Sequence, residues 1–259
     1  IIFDGDKVLI KQTGELFSFP GYHQLNLPIG RFFYLFMISD QKYFLYQSLS
    51  GDGLSDIAEK GYEYQPIIVF RELQPRHRAF ALITAYQINR WYFDNRFCGR
   101  CAQTMETDAK ERLLRCPKCG NLVYPRISPA VIVGIVDHDR ILLTRYAGRE
   151  YNRYALVAGF TEIGETLEQT VAREVAEEVG LKIKNIRYYK SQPWSLSGTL
   201  LSGFFADLDG SDEILLDETE LAEAVWFRRD AVPVKDDGIS LTRDMIQAFC
   251  DGLDRTVKF

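Results

Sequence analysis

The chain has 259 residues, of which 46% are hydrophobic and 26% are charged. This composition is typical of a globular protein with an apolar core, in one large domain or two modest ones. The formal net charge of −5 excludes a general polyanion-binding protein, so an anionic substrate would need bound metal or a few local arginines. No apolar run approaches the roughly 20 residues that a membrane-spanning helix needs, and no signal peptide is visible. We therefore expect a cytoplasmic protein with no membrane partner.

The first 75 residues predict a series of short strands, because aromatic and aliphatic runs there are separated by Gly and Asp. The predicted strands are Lys7–Ile10, Arg31–Ser39, Lys42–Leu49 and Ile67–Phe70. The spacing of apolar residues then becomes helical, from about Arg76 to Asn95. These patterns predict a β-rich N-terminal domain over residues 1–95 that ends in a helix.

Four of the five cysteines form two Cys-x-x-Cys pairs that are separated by fourteen residues. The pairs are Cys98 with Cys101 and Cys116 with Cys119. Two such turns on adjacent hairpins present four thiolates in a tetrahedron, which suits Zn²⁺. Because the protein would fill all four positions, we expect one structural zinc ion per chain, in a zinc ribbon over residues 96–124. Paired thiolate ligands fit a reducing compartment such as the cytoplasm.

After residue 125, strands and helices alternate without the regular order of a parallel α/β fold. The predicted strands are Ala130–Val136, Arg140–Thr144, Ile186–Tyr189 and Leu200–Leu208. The predicted helices are Gly164–Val179 and Leu241–Gly252. Thr166 is a suitable N-cap for the first of these helices, and Gly180 a suitable residue just after its end. The order predicts a mixed sheet of the α+β class over residues 125–259.

Three glutamates share one face of the first of these helices. Glu174, Glu177 and Glu178 stand at positions i, i+3 and i+4, where like charges repel and destabilise the helix. Cations bound between the carboxylates would remove this repulsion, and hard carboxylate oxygens suit Mg²⁺ or Mn²⁺. Valines at steps of four predict the buried face of the same helix. They are Val171, Val175 and Val179.

The stretch Gly159–Leu181 resembles the Nudix box, G-x5-E-x7-R-E-U-x-E-E-x-G-U, at every fixed position. Nudix hydrolases fold as an α/β/α sandwich and cleave nucleoside diphosphates linked to another group. The resemblance implies that the cations bind the helix glutamates and the main-chain carbonyl of Ala158. It also implies that Arg173 orients the carboxylates and that Glu165 ties the preceding loop to the helix. Which glutamate, if any, acts as a general base stays open.

A second motif concerns the substrate. Ser191–Trp194 resembles the start of the SQPWPFPxS signature of NADH pyrophosphatases of the NudC type, which carry a zinc ribbon before the Nudix domain. The Pro-Phe-Pro of that signature is Ser-Leu-Ser in this chain, and its final Ser is Thr. The resemblance implies substrate contacts from this segment. The residues are Gln192, Pro193, Trp194, Ser195, Leu196, Ser197, Gly198 and Thr199.

Further positions follow from the same resemblance. Glu220 corresponds to an additional metal-binding glutamate, with Glu223 as the competing choice. Glu111 and Tyr124 correspond to substrate contacts from the ribbon side. Thr242 lies in a segment that resembles the one closing the substrate pocket. Kinship also implies a homodimer.

The leading interpretation is hydrolysis of NAD(H) to nicotinamide mononucleotide and AMP, or removal of an NAD cap from RNA, which breaks the same bond. An alternative substrate is ADP-ribose or another nucleotide sugar. An alternative of another class is a non-catalytic nucleotide sensor or a nucleic-acid-binding ribbon protein. The intact glutamates favour catalysis, and the acidic balance disfavours a dedicated nucleic-acid module.

Overall fold

A computed structural model describes residues 1–25, 27–47, 57, 60–148, 153–233 and 238–255. The chain divides into two compact units. The first contains residues 1–126 with Ser195–Ser197, and the second contains residues 127–194 with 198–259. The three-domain division that the sequence suggests stays a prediction. None of the helices in the described ranges is both long and apolar enough to cross a membrane.

The first unit is rich in short strands, as predicted. They are β1 (Phe3–Asp4), β2 (Lys7–Thr13), β3 (Leu16–Ser18), β4 (Phe32–Ile38), β5 (Gln41–Tyr46) and β6 (Glu63–Pro66). Strand β2 pairs with β1, β3 and β6 in one sheet, and β4 pairs with β5 in a separate hairpin. The strand predicted over Lys42–Leu49 is confirmed as far as Tyr46, while its last two residues lie outside the described ranges.

The helix predicted near Arg76 is confirmed as α1 (Arg76–Asp94), which begins directly after Pro75. The strand predicted over Ile67–Phe70 is wrong, because these residues form a short 3-10 helix, Ile67–Arg71. Ile67 and Phe70 are both buried, and their separation of three residues matches one 3-10 turn. A four-residue apolar run does not distinguish a buried strand from one turn of helix, so the sequence pattern was ambiguous here.

The cysteine segment contains a small three-stranded antiparallel sheet. Its strands are β7 (Glu106–Thr107), β8 (Leu114–Arg115) and β9 (Leu122–Val123). The middle strand pairs Arg115 with Glu106 on one side and with Leu122 on the other. Cys116 and Cys119 lie in the turn that connects β8 to β9.

The second unit is built on one mixed sheet. Its strands are β10 (Ser128–Asp137), β11 (Arg140–Tyr146), β12 (Val157–Phe160), β13 (Ile183–Trp194), β14 (Thr199–Leu208) and β15 (Leu221–Arg228). The order is β13-β14-β10-β11-β15, and β12 pairs with the first half of β10. Strand β10 runs parallel to β14 and antiparallel to β11 and β12. The predicted α+β class with a mixed sheet is therefore confirmed.

Two helices cover opposite faces of this sheet, α2 (Leu167–Val179) and α3 (Leu241–Cys250). Successive residues of β10 alternate between the two faces, as a strand requires. Val131 and Val133 pack in one apolar cluster with the valines of α2. Ile132 packs in another with Met245 and Phe249 of α3. This is the α/β/α layering that the sequence predicts, and burying each such side chain contributes about 1.5–3 kcal/mol.

Candidate active site

The ends of α2 are fixed by local hydrogen bonds. Thr166 Oγ1 accepts a hydrogen bond from the Gln169 backbone at 3.3 Å, and the Gln169 side chain accepts one from the Thr166 backbone at 2.8 Å. Gly180 ends the helix with φ of +69°, a conformation that favours glycine. The predicted cap residues are confirmed, although the helix starts at Leu167 rather than at Gly164. These bonds and this conformation fix where the helix begins and ends.

The glutamates of α2 have very different environments. Val171, Val175 and Val179 are fully buried, which confirms the predicted apolar face. Glu174 is 8% exposed and Glu178 only 2%, although both are acidic. The Glu177 side chain is 61% exposed. Burying two carboxylates without compensation is costly, so their surroundings decide what this helix does.

Gly159 in β12 leaves the space that the Glu174 carboxylate occupies. A Cβ atom at this position would lie 2.0 Å from both Cδ and Oε1 of Glu174. No side chain larger than hydrogen fits there without displacing the carboxylate. The first glycine of the box therefore serves close approach between strand and glutamate.

Arg173 connects four oxygen-bearing groups. Its Nε and Nη2 atoms donate to the two oxygens of Glu165 at 2.6 and 2.9 Å. Its Nη1 atom donates to Glu174 at 2.8 Å and to Glu177 at 3.0 Å. A further bond from Nη2 reaches the backbone carbonyl of Phe160 at 3.0 Å. These carboxylates raise the pKa of Arg173 and hold its guanidinium in one orientation.

Glu165 is anchored from three directions. Besides the Arg173 pair, its Oε2 atom accepts hydrogen bonds from the Glu162 backbone at 3.1 Å and from Thr170 Oγ1 at 3.0 Å. These bonds, first that from Arg173, lower the pKa of Glu165 to about 2. The sequence did not identify Thr170, whose only signal is a polar residue at a buried position of the helix. Glu165 thus joins the loop before α2 to the helix.

Glu178 differs because no positively charged side chain among the described residues neutralises it. Both of its carboxylate oxygens are buried, and no side chain there donates a hydrogen bond to them. Burial raises the pKa of Glu178 to about 8, and the charges of Glu174 and Glu220 add to this, while a hydrogen bond from the Ala158 backbone opposes it. A buried carboxylate without a partner is expensive unless it binds a proton or a cation. The donor set of hard oxygens therefore fits a divalent cation.

The two candidates for an additional metal ligand are separated by their contacts. The charge of Glu220 raises the pKa of both Glu174 and Glu178, so the Glu220 carboxylate lies near the buried pair. Glu223 instead forms an ion pair with Arg145 at 3.2 Å. Since Glu220 directly precedes β15 and Glu223 lies within it, they have different neighbours. This geometry supports Glu220.

Asp217 is a neighbour that the sequence did not point to. Its backbone N–H donates to the Glu178 carbonyl at 3.0 Å. Its carboxylate accepts two hydrogen bonds from Thr219, and it adds to the field that raises the pKa of Glu178. No three carboxylates in the described part of the chain are as close together as the four cysteine sulfurs are. Cations between the glutamates would therefore share their shell with water or phosphate oxygens.

The segment expected to contact substrate is arranged as a hairpin. Gln192, Pro193 and Trp194 end β13, and Trp194 pairs with Thr199 at the start of β14. Gly198 has φ of +67° in the turn, while Ser195–Ser197 group with the first unit. Leu196 lies in that group. The substrate contacts of this segment stay a prediction.

Both polar groups of the Gln192 side chain form hydrogen bonds with the backbone. Its Nε2 atom donates to the carbonyl of Ile239 at 2.7 Å, and its Oε1 atom accepts from the N–H of Leu241 at 2.6 Å. These bonds hold the start of α3, where Ser240 is the N-cap and Thr242 lies in the first turn. Gln192 therefore positions the segment that contains Thr242.

Glu111 and Tyr124 are brought together in the ribbon. The Tyr124 hydroxyl donates to Glu111 Oε2 at 3.3 Å, and the charge of Glu111 raises the pKa of Tyr124. The Tyr124 side chain remains exposed, so its ring is available for contacts. Their role towards a substrate stays a prediction.

The four predicted zinc ligands converge. All four Sγ atoms lie within 4.8 Å of one another, with Cys98 and Cys119 at 3.6 Å and Cys101 and Cys116 at 3.5 Å. The Arg100 N–H donates to Cys98 Sγ and lowers the pKa of that thiol to about 6. Two equivalent turns shape the site, with Ala102 and Gly120 at positive φ after each pair. These thiols form a closed site that fits structural zinc.

Comparison with known protein families finds two matches in this chain. Residues 94–124 match the NADH pyrophosphatase zinc ribbon domain. Residues 126–249 match the NUDIX domain. The chain carries a Nudix domain that follows an NADH pyrophosphatase zinc ribbon. The Nudix domain contains all four glutamates of the candidate active site, which we call the glutamate cluster: Glu174, Glu177, Glu178 and Glu220.

Curated relatives and a solved structure agree with this assignment. The chain is 42% identical over 161 residues to proteins named NAD-capped RNA hydrolase NudC from Enterobacter sp. (strain 638) and Salmonella typhi. These matches cover 62% of this chain and 62% of each relative's length. A NUDIX hydrolase from Nitrosomonas europaea superposes with a TM-score of 0.55 at 23% identity, over 63% of this chain and 96% of that chain. The last match supports the Nudix fold alone.

Proposed function

We propose that this chain hydrolyses the pyrophosphate bond of NAD(H), giving nicotinamide mononucleotide and AMP, with Mg²⁺ or Mn²⁺ held by the Nudix helix. The orphaned carboxylate of Glu178 carries this proposal. Its two buried oxygens have no side-chain partner and lie next to Glu174 and Glu220, so the carboxylate must bind either a proton or a cation. The hard oxygens of three neighbouring glutamates favour a divalent cation. A pyrophosphate is itself anionic and would be repelled by the same cluster without cations.

The residues of the cluster have separable roles in this proposal. Glu174, Glu178 and Glu220 provide the ligand oxygens, with the Ala158 carbonyl as a further donor. Glu177, being exposed, contributes a ligand at the outer side of the cluster. When bound, the cations would neutralise the pyrophosphate and activate a water for in-line attack on phosphorus.

Arg173 acts through its neighbours rather than on the substrate. Its bonds to Glu174 and Glu177 fix the direction in which their remaining oxygens point, and the bidentate pair with Glu165 fixes Arg173 itself. Oriented ligands lower the reorganisation that metal and substrate binding require. Glu165 and Arg173 are thus positioning residues.

The substrate class is supported by the ribbon and by the relatives. The zinc ribbon is of the NADH pyrophosphatase kind, and relatives at 42% identity are named NAD-capped RNA hydrolases. We infer that both the free dinucleotide and the NAD cap of RNA are substrates, since the scissile bond is the same. By the same kinship the working form is a homodimer. The reduced four-thiol site supports a cytoplasmic location.

ADP-ribose is the second candidate substrate. It presents the same pyrophosphate but no nicotinamide ring. The replacement of Pro-Phe-Pro by Ser195–Ser197 favours it, because an aromatic ring and two stiff prolines are absent from the signature segment.

A substrate panel separates these candidates. NADH, NAD⁺, ADP-ribose and NAD-capped RNA are compared at equal concentration with Mg²⁺ or Mn²⁺, and kcat/KM is measured for each. We expect the nicotinamide dinucleotides or the capped RNA to be preferred. A strong preference for ADP-ribose over NADH would remove the NAD(H) assignment but leave pyrophosphate hydrolysis intact.

A further inference from the structure

The first unit contains a cavity of about 870 Å³ that the proposed hydrolysis does not use. It is lined by the segment after β3, by the hairpin of β4 and β5, and by the first turn of α1. Cavities of roughly 300–1,000 Å³ accommodate small organic ligands. The volume is therefore large enough for a mononucleotide.

Aromatic side chains form most of the cavity wall. They are Phe19, Tyr22, Phe32, Tyr43 and Phe44. Phe19 packs edge-to-face on Tyr43 with centroids 6.0 Å apart, and Tyr22 on Phe32 at 5.3 Å. Tyr22 and Phe44 are nevertheless 46% and 39% exposed, so the wall is open to an entering ligand. Rings that are fixed by edge contacts and partly exposed are suited to stacking on a planar heterocycle.

Two polar side chains lie against each other in this wall. Tyr43 is 5% exposed, and its hydroxyl is closed to solvent. Burial raises the pKa of Tyr43, while the charge of Arg78 and a side-chain hydrogen bond with it oppose the shift. Tyr43 therefore holds the Arg78 guanidinium at the wall, and the guanidinium is half-buried and open to a ligand.

Arg78 itself has spare hydrogen-bonding capacity. Besides the Tyr43 hydroxyl, it contacts the Phe17 carbonyl through a long bond from Nη1 at 3.4 Å, and it has no carboxylate partner in the described ranges. Five N–H groups on a planar guanidinium match the oxygens of a phosphate or carboxylate. The other charged residues of the wall, Asp40 and Lys42, are exposed and of opposite sign.

We propose that this cavity is a second binding site, for a planar aromatic anion of mononucleotide size. The ring lies among the aromatic side chains, and the anionic group accepts hydrogen bonds from the Arg78 guanidinium, which Tyr43 holds in position. The site shares no residue with the metal-binding glutamates, because every residue that lines it precedes residue 79.

Calorimetric titration of the zinc-loaded full chain, without added Mg²⁺ or Mn²⁺, tests the proposal. The probes are AMP and nicotinamide mononucleotide, with adenosine and ribose 5-phosphate as controls that lack the anion or the ring. We expect saturable binding of at least one mononucleotide and at least about tenfold weaker binding of both controls. Absence of saturable binding of either mononucleotide at millimolar concentration overturns the proposal.

Variants locate the binding. Arg78→Gln should weaken mononucleotide binding at least about tenfold, and Tyr43→Phe, which keeps the ring but loses the hydrogen bond to Arg78, should weaken it severalfold. Arg76→Gln, on the same helix but outside the cavity wall, should bind like the original protein, and so should Glu178→Gln. Thermal unfolding confirms that each variant is folded. Undiminished binding by both folded cavity variants, or loss of binding in Glu178→Gln, would place the ligand elsewhere.

Discussion

The guanidinium of Arg173 donates two hydrogen bonds, of 2.6 and 2.9 Å, to the carboxylate of Glu165. This fork uses Nε and Nη2, so Nη1 is left to hold Glu174 and Glu177 at 2.8 and 3.0 Å. One planar group therefore sets the positions of three acidic side chains. A point charge could balance the same negative charge but could not fix these directions.

Arg173→Lys keeps the positive charge and removes the fork. We predict a loss of about 10–100-fold in kcat, with half-maximal activity at a higher Mn²⁺ concentration, as is typical when groups that orient metal ligands are changed. Steady-state rates across a Mn²⁺ titration measure this. Arg187→Lys is the matched control, since Arg187 pairs with Asp207 at 2.8 Å on β13. If Arg173→Lys and Arg187→Lys had the same rate and the same Mn²⁺ dependence, the orientation of the carboxylates by Arg173 would be unimportant.

Glu178 should make the metal-free protein less stable as pH rises. Its pKa is raised from 4.5 to about 8 in the folded state, so the folded chain binds a proton that the unfolded chain releases. The stability that this proton contributes is present below pH 4.5 and is lost as pH rises towards 8. Glu178→Gln abolishes this decline and should be more stable than the original protein at pH 8, by on the order of 4 kcal/mol.

Thermal unfolding at pH 5 and pH 8 without added divalent metal tests this prediction. The variant's advantage should be larger at pH 8, and Mn²⁺ should stabilise the original protein more than the variant. A variant with the same advantage at both pH values would indicate that Glu178 is not held with a raised pKa.

Gly159→Ala should disturb the cluster without touching a charge. The added Cβ would lie 2.0 Å from the Glu174 carboxylate, so either the strand or the glutamate must move. We predict a destabilisation of about 1–3 kcal/mol and a more than tenfold loss of activity. Gly30→Ala is the control, because a Cβ there meets no atom within 4 Å. Full activity in Gly159→Ala, at unchanged melting temperature, is incompatible with the close approach described above.

The ribbon should contain about one zinc ion per chain and depend on it for folding. Cys116→Ser removes one of four converging sulfurs and should lose zinc and the folded ribbon, whereas Cys250→Ser should keep both. Elemental analysis and protease sensitivity of residues 94–124 measure these outcomes. Carefully purified protein without zinc would refute the site.

Parts of this structure follow from local sequence rules. The face of α2 is predictable because helical spacing places Glu174 and Glu178 together whatever the surroundings. The caps at Thr166 and Gly180 and the two cysteine turns are likewise set by residues within a few positions of each other. Such features need no knowledge of tertiary packing.

Other parts depend on tertiary contacts that spacing does not reveal. Whether Glu220 or Glu223 faces the cluster depends on where β15 begins and on Arg145 across the strand pair. The bond from Thr170 to Glu165 depends on the path of the loop before α2. The engagement of Gln192 with the start of α3 joins residues 49 positions apart. Each of these contacts could be identified only once the three-dimensional structure was known.

Hydrolysis of NADH by the original protein and by Glu178→Gln tests the central claim most directly. With Mn²⁺ present, the original protein should release AMP and the reduced mononucleotide, and without divalent metal it should not. Glu178→Gln should lose at least about 100-fold in kcat, while Glu168→Gln, an exposed change on the same helix, should retain the original rate. Release of these products by folded Glu178→Gln at the full rate would contradict a metal-dependent pyrophosphatase built on this glutamate cluster.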